Sequence, residues 1–116
     1  MKWLNARFGH AFSGLRFCLQ DKSIRFQLLL ALCAILAGFL LKIEAGEWLW
    51  ILAACFLVLI TETVNSCLEK TVDYISPKKS PQARQIKDMA AAAVFLSALF
   101  AFFVAIFIYL PHLFYL

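Results

Sequence analysis

Three stretches of this chain carry no charge, and they decide what it can become: Phe26 to Leu41, Trp48 to Thr61 and Met89 to Leu110. The third meets the roughly 20 residues that a helix needs to cross the hydrocarbon of a bilayer. The first two are shorter, yet a short helix still spans when basic ends snorkel and polar groups at one end sit among headgroups. Arg25 and Lys42 bracket the first run, and Glu47 and Glu62 bracket the second. With 64% hydrophobic residues against 16% charged, the balance is that of a membrane protein and excludes an ordinary soluble domain.

The second helix is predicted to outrun its apolar stretch. "ETVNSCLEKTVDY" holds no Gly or Pro, and the first breaker is Pro77. The first 22 residues read as an amphipathic helix: at about 100° per residue, Leu4, Phe8, Ala11, Phe12, Leu15 and Leu19 share one arc, while Asn5, Ser13, Arg16 and Gln20 point away. Such a helix can lie in the membrane surface or pack on the protein's own helices. The expected organisation is one all-α integral membrane domain over 1–116. A surface helix occupies 1–23, and spans run over 26–43, 48–74 with a polar extension, and 87–110.

Basic residues set the orientation. Lys2, Arg7, Arg16, Lys22 and Arg25 precede the first span, and Lys70, Lys78, Lys79, Arg84 and Lys87 lie between the second and third. Only Lys42 falls on the other side, so the N-terminus and the 70–88 loop are expected in the cytoplasm and the C-terminus outside. A net charge of +4 so distributed suits an anionic leaflet or anionic substrates, and leaves little for a nucleic acid to explain. The first apolar run starts only after Arg25, unlike a cleavable signal, so the whole chain is read as mature.

The remaining features are plainer. Cys18, Cys33, Cys55 and Cys67 form no CxxC pair and are expected to be buried thiols rather than disulfides or metal ligands. "SPKKSPQAR", Ser76 to Arg84, should interrupt the helices and stay wet. "AAAA" at 90–93 offers a close-packing surface to a neighbouring helix. His10 and His112 stand isolated and are assigned no catalytic role.

Chemistry gathers where the second apolar run ends. On an ideal helix Asn65, Glu69 and Asp73 lie at about −60°, −20° and +20° from Glu62, so all four share a face. Three carboxylates on one face repel unless countered by a divalent metal, Lys or Arg. A donor set made only of oxygen favours a hard cation such as Mg²⁺, which takes one or two carboxylates plus substrate phosphates. The bland alternative is a solvated helix end whose acids pair with Lys70, Lys78 or Lys79. Two features favour the first reading: "IKDM" puts Lys87 and Asp88 at the foot of the third span, and "LQDKSIR" puts Asp21 at the end of the surface helix. No GxxxxGK[ST], GxGxxG, HRD or DFG signature is present, which excludes a soluble-type kinase fold.

"ETVNSCLEKTVD", followed by "KD" at the foot of a third span, resembles the small prokaryotic diacylglycerol kinase family, including its undecaprenol kinase branch. "FGHAFSGLRF" resembles the family's surface helix, so the likeness covers nearly the whole chain. It implies a homotrimer in the bacterial inner membrane, with sites between subunits, that transfers the γ-phosphate of ATP to a lipid hydroxyl with Mg²⁺. Carried over by position, Glu62 would be the general base, and Asp21 and Glu69 would hold metal. Asn65 would support them, and Lys87 and Asp88 would contact ATP. Lys78, Lys79 and Ser80 occupy the loop that closes over the nucleotide in the family.

The family more often has Glu where this chain has Asp21, so that metal contact is lost, water-mediated or restored by a shift of the surface helix. "EW" at Glu47 and Trp48 and "SPQARQIKD" look more like the undecaprenol branch, so the resemblance favours undecaprenol over diacylglycerol. Two other classes compete. A small cation-coupled transporter would place its carboxylate near the midplane and use an even, repeated set of helices. A structural assembly subunit leaves the acidic face without a partner.

Overall fold

A computed structural model describes residues 1–115 and consists of four helices: α1 (Lys2–Leu19), α2 (Lys22–Leu41), α3 (Ala45–Ile75) and α4 (Pro81–Phe114). The last three are long and apolar enough to cross a membrane, so the chain is an all-α integral membrane protein. Its extents of 54 × 43 × 20 Å describe a thin bundle from which α1 extends sideways. No residue of α1 is buried, and Phe8, Phe12 and Leu15 on its apolar arc are exposed along with Trp3 and Phe17.

Capping chemistry moves the start of each span from its expected place. α2 opens at Lys22 instead of 26 because Asp21 is its N-cap, with Oδ1 accepting from the N–H groups of Ser23 (2.9 Å) and Ile24 (3.3 Å). Asp21 therefore starts the first span rather than closing the surface helix. α3 opens at Ala45 instead of 48 through a reciprocal Glu44–Glu47 capping box, in which the Glu44 N–H donates to Glu47 Oε1 at 2.9 Å. α4 opens at Pro81 instead of 87, because Ser80 Oγ accepts from Ala83 N–H and proline is at home in a first turn. The expected loop thus shrinks to 76–80, and "PQAR" is helix. At its far end α4 continues through Pro111 to Phe114, past the expected 110.

The turn between α2 and α3 is short because α2 ends in a Schellman pair. Lys42 adopts the left-handed conformation (φ 54°), its N–H bonds to Phe39 O, and the Ile43 N–H bonds to Gly38 O. Trp48 then lies on Gly38 so closely that a Cβ there would sit 2.6 Å from its ring. That notch lets the first turn of α3 pack against the last turns of α2.

α3 and α4 form the main antiparallel pair, with a small core of Ile43, Ile51, Ala54, Val104 and Ile108 toward the α2–α3 turn. Polar ties reinforce it: the Thr61 and Ser97 hydroxyls bond at 2.7 Å between α3 and α4, and the Tyr109 hydroxyl donates to Ala34 O on α2. Many large apolar side chains face outward along α2, α3 and α4, as expected of surfaces that meet lipid or another copy.

Three minor expectations change. All four cysteines are free, but Cys33 and Cys67 are exposed, Cys67 on an open groove between α1 and α3. Of the four alanines only Ala90 is buried; Ala91 and Ala92 turn away, and Ala93, a turn further on, faces α3 beside Ala90 but stays exposed. His112 is not isolated: its Nε2 lies 2.8 Å from Glu47 Oε1, because antiparallel α3 and α4 bring the start of one beside the end of the other.

Candidate functional site

α3 carries its polar residues past the apolar stretch on an unbroken helix, and its neighbours decide which of them are enclosed. Glu62, Asn65 and Ser66 are buried, Glu62 at 6% exposure, whereas Glu69 and Asp73 are exposed. The Glu62 carboxyl lies near those of Asp21 and Glu69 and beside the Gln27 and Asn65 amides. Asp21, at the α1–α2 corner, reaches the same place from outside α3. Its carboxyl is held below its ordinary 3.8, chiefly by the Ser66 hydroxyl and also by the Ile24 and Ser23 N–H groups and Lys70, against the opposing effect of burial.

Asn65 shows what this cluster lacks. Its Nδ2 donates to Glu69 Oε1 at 3.2 Å, and because a carboxylate only accepts, the amide must be oriented with nitrogen toward Glu69. That leaves Oδ1 buried with no protein partner. An unpaired buried acceptor beside several carboxylates suits a hard cation or its bound water. Among the described residues no three His, Cys, Asp or Glu side chains of one chain converge on a metal position, so the remaining ligands would come from phosphate, water or another copy.

A second cluster surrounds the α3–α4 link. Lys78, Lys79, Ser80, Arg84, Lys87 and Asp88 line a cavity of about 570 Å³ together with Asp73. Within it Lys87 Nζ pairs with Asp73 Oδ1, and Arg84 Nε lies 3.8 Å from Asp88 Oδ2. The four residues expected on a single face therefore divide: Glu62, Asn65 and Glu69 cluster toward Asp21, while Asp73 engages α4. From Glu62 to Asp73 is about 16 Å along α3 at ~1.5 Å per residue. The sequence reading brought Asp21, Asn65 and Glu69 to Glu62 but missed Gln27, Ser66, Arg84 and the Asp73–Lys87 pair. Ser66 and Asp73 stood within the quoted pattern; nothing in the sequence marked Gln27.

A groove of about 800 Å³ runs between α1 and α3 to the first cluster. Leu15, Phe17, Phe56 and Ile60 give it apolar walls, and Asp21, Ser66 and Lys70 give it a polar end. An amphiphile with a polar head and apolar tail matches that gradient.

The sequence profile described as prokaryotic diacylglycerol kinase matches residues 9–109, a range that contains both clusters and the groove. The chain belongs to that family. Among its relatives, a diacylglycerol kinase of Helicobacter pylori is 36% identical over 83 residues, 71% of this chain and 64% of that protein. A diacylglycerol kinase of Pseudomonas aeruginosa is 38% identical over 77 residues, 66% and 63% of the two chains. An undecaprenol kinase of Bacillus subtilis is 31% identical over 93 residues, 80% and 76%. The chain thus spans just under two thirds of the length of the first two and about three quarters of the third.

Proposed function

We propose that this protein is a lipid kinase that transfers the γ-phosphate of ATP to the hydroxyl of a membrane lipid, undecaprenol in preference to diacylglycerol. The observation that carries the reading is the position of Glu62: a buried carboxylate where the apolar stretch ends, near Asp21, which lines the polar end of the apolar groove. A lipid alcohol lying in the groove brings its hydroxyl to that level while its tail stays in lipid. Family membership and the names of the relatives support the reaction class.

Glu62 acts as general base and takes the hydroxyl proton as the oxygen attacks phosphorus; it must lie within hydrogen-bond reach of that hydroxyl. Asp21 and Glu69 would hold Mg²⁺ with Asn65 in support, and the ion, when bound, neutralises charge on the phosphates. Lys87 and Asp88 bind the nucleotide, with Lys78, Lys79 and Ser80 of the link closing over it. Phosphoryl transfer needs positioning and charge neutralisation more than covalent participation, so this set of groups is sufficient.

The positive-inside bias supports an orientation with both clusters in the cytoplasm, where ATP is, and the C-terminus outside the bacterial inner membrane. A homotrimer with sites between subunits would cover the exposed helix faces and add donors to a cluster that is incomplete in one chain. A cation-coupled transporter is less well supported, because the carboxylates sit at one end of the bundle. The test is transfer of labelled phosphate from ATP to undecaprenol and to diacylglycerol in matched micelles. Label in undecaprenol above diacylglycerol is expected; label in neither, from folded oligomeric protein, would overturn the reading.

A further inference from the structure

Asp73 belongs to the acidic pattern but not to the Glu62 cluster, and its partner suggests why. α3 ends at Ile75 and α4 opens at Pro81, so the 76–80 link returns the chain antiparallel and sets Asp73 against Lys87. The Lys87 ammonium donates to Asp73 Oδ1 across the two helices. The Lys87 side chain remains 38% exposed and that of Asp73 63%, and an ion pair that open adds little to stability. Its effect lies in where it holds the ammonium.

A lysine head is a point charge on a flexible stem, and here Lys78, Lys79 and Arg84 line the same cavity and repel it. Asp73 counters both. An ammonium has three donors, so one bond to Asp73 leaves two for a ligand. Holding those donors in place before a ligand arrives removes ordering that binding would otherwise have to supply.

We propose that Asp73 is a positioning residue for nucleotide: it pins the Lys87 ammonium to the wall of the link cavity, so that a nucleoside triphosphate meets a charge already in place. The inference rests on reading this cavity as the nucleotide end of the kinase site. It makes a prediction opposite in sign to simple charge arithmetic. Removing a carboxylate beside an anion site should tighten anion binding by Coulomb's law alone, whereas losing a positioning residue should weaken it.

The test is ATP affinity, measured by displacement of a fluorescent ATP analogue from the solubilised full chain. Wild type, Asp73→Asn, Asp73→Glu, Lys87→Ala and the Asp73→Asn/Lys87→Ala double variant are compared. Asp73→Asn is expected to weaken ATP binding about tenfold and Asp73→Glu less than about twofold, with Asp73→Asn adding under about twofold once Lys87 is gone. Unchanged or tighter binding in Asp73→Asn would overturn the proposal, as would losses that multiply in the double variant. Wild type that shows this coupling but phosphorylates no lipid would overturn the kinase reading and leave the role of Asp73 standing. Wild type that phosphorylates lipid, with Asp73→Asn indistinguishable from it, would overturn that role alone, and wild type that binds no ATP would overturn both.

Discussion

Asn65 donates its amide to Glu69 at 3.2 Å across one turn of α3, and the carbonyl oxygen of the same amide is left buried without a partner. One side chain thus fixes a carboxylate and keeps a further acceptor unpaired within one turn of Glu62. In a protein interior such an acceptor is rarely left unmet.

Glu69→Gln removes a charged donor from this cluster while leaving an amide of similar shape. The Mg²⁺ concentration for half-maximal activity is expected to rise about tenfold or more, read from a Mg²⁺ titration at saturating ATP. An unchanged titration would take Glu69 out of the metal site.

Asp21 has two roles that can be separated by substitution. Asp21→Ser keeps an oxygen to cap α2, so thermal stability in detergent should hold, while the Mg²⁺ requirement rises. Asp21→Ala should lose about 1 kcal/mol of stability as well, the usual effect of deleting an N-cap. Equal stability in the two variants would show that the cap contributes nothing.

Gly38→Ala would bring a methyl group to 2.6 Å from Trp48 Cη2 and 3.1 Å from Ile43 Cδ1. Both neighbours are held by the α2–α3 turn, so the expected loss is about 1–3 kcal/mol, measured as the shift in detergent unfolding. Trp48→Leu in the same chain should recover part of it by vacating the notch.

The three charge-free runs were enough to give the number and order of the spans, because lipid solvation leaves helix as the way for such a run to satisfy its backbone. Helix ends were less legible. In the sequence Asp21 can close one helix or open the next, and Pro81 can break a helix or occupy its first turn, since both residue types serve both purposes; the structure shows the second of each. Periodicity placed Glu62, Asn65 and Glu69 together but could not divide Asp73 from them. That division depends on α4, brought back by the 76–80 link. The Gly38–Trp48 notch and the Glu47–His112 pair were invisible for the same reason: each joins residues on different helices.

The central claim is that Glu62 removes the proton from the lipid hydroxyl without itself holding nucleotide. Glu62→Gln should be compared with wild type in two assays on the same preparation: phosphate transfer to undecaprenol, and displacement of a fluorescent ATP analogue. The account predicts that turnover falls about a hundredfold or more while ATP affinity stays within about twofold. Parallel loss of turnover and nucleotide binding would contradict it and make Glu62 a metal or nucleotide ligand; retained turnover would remove it from the chemistry altogether.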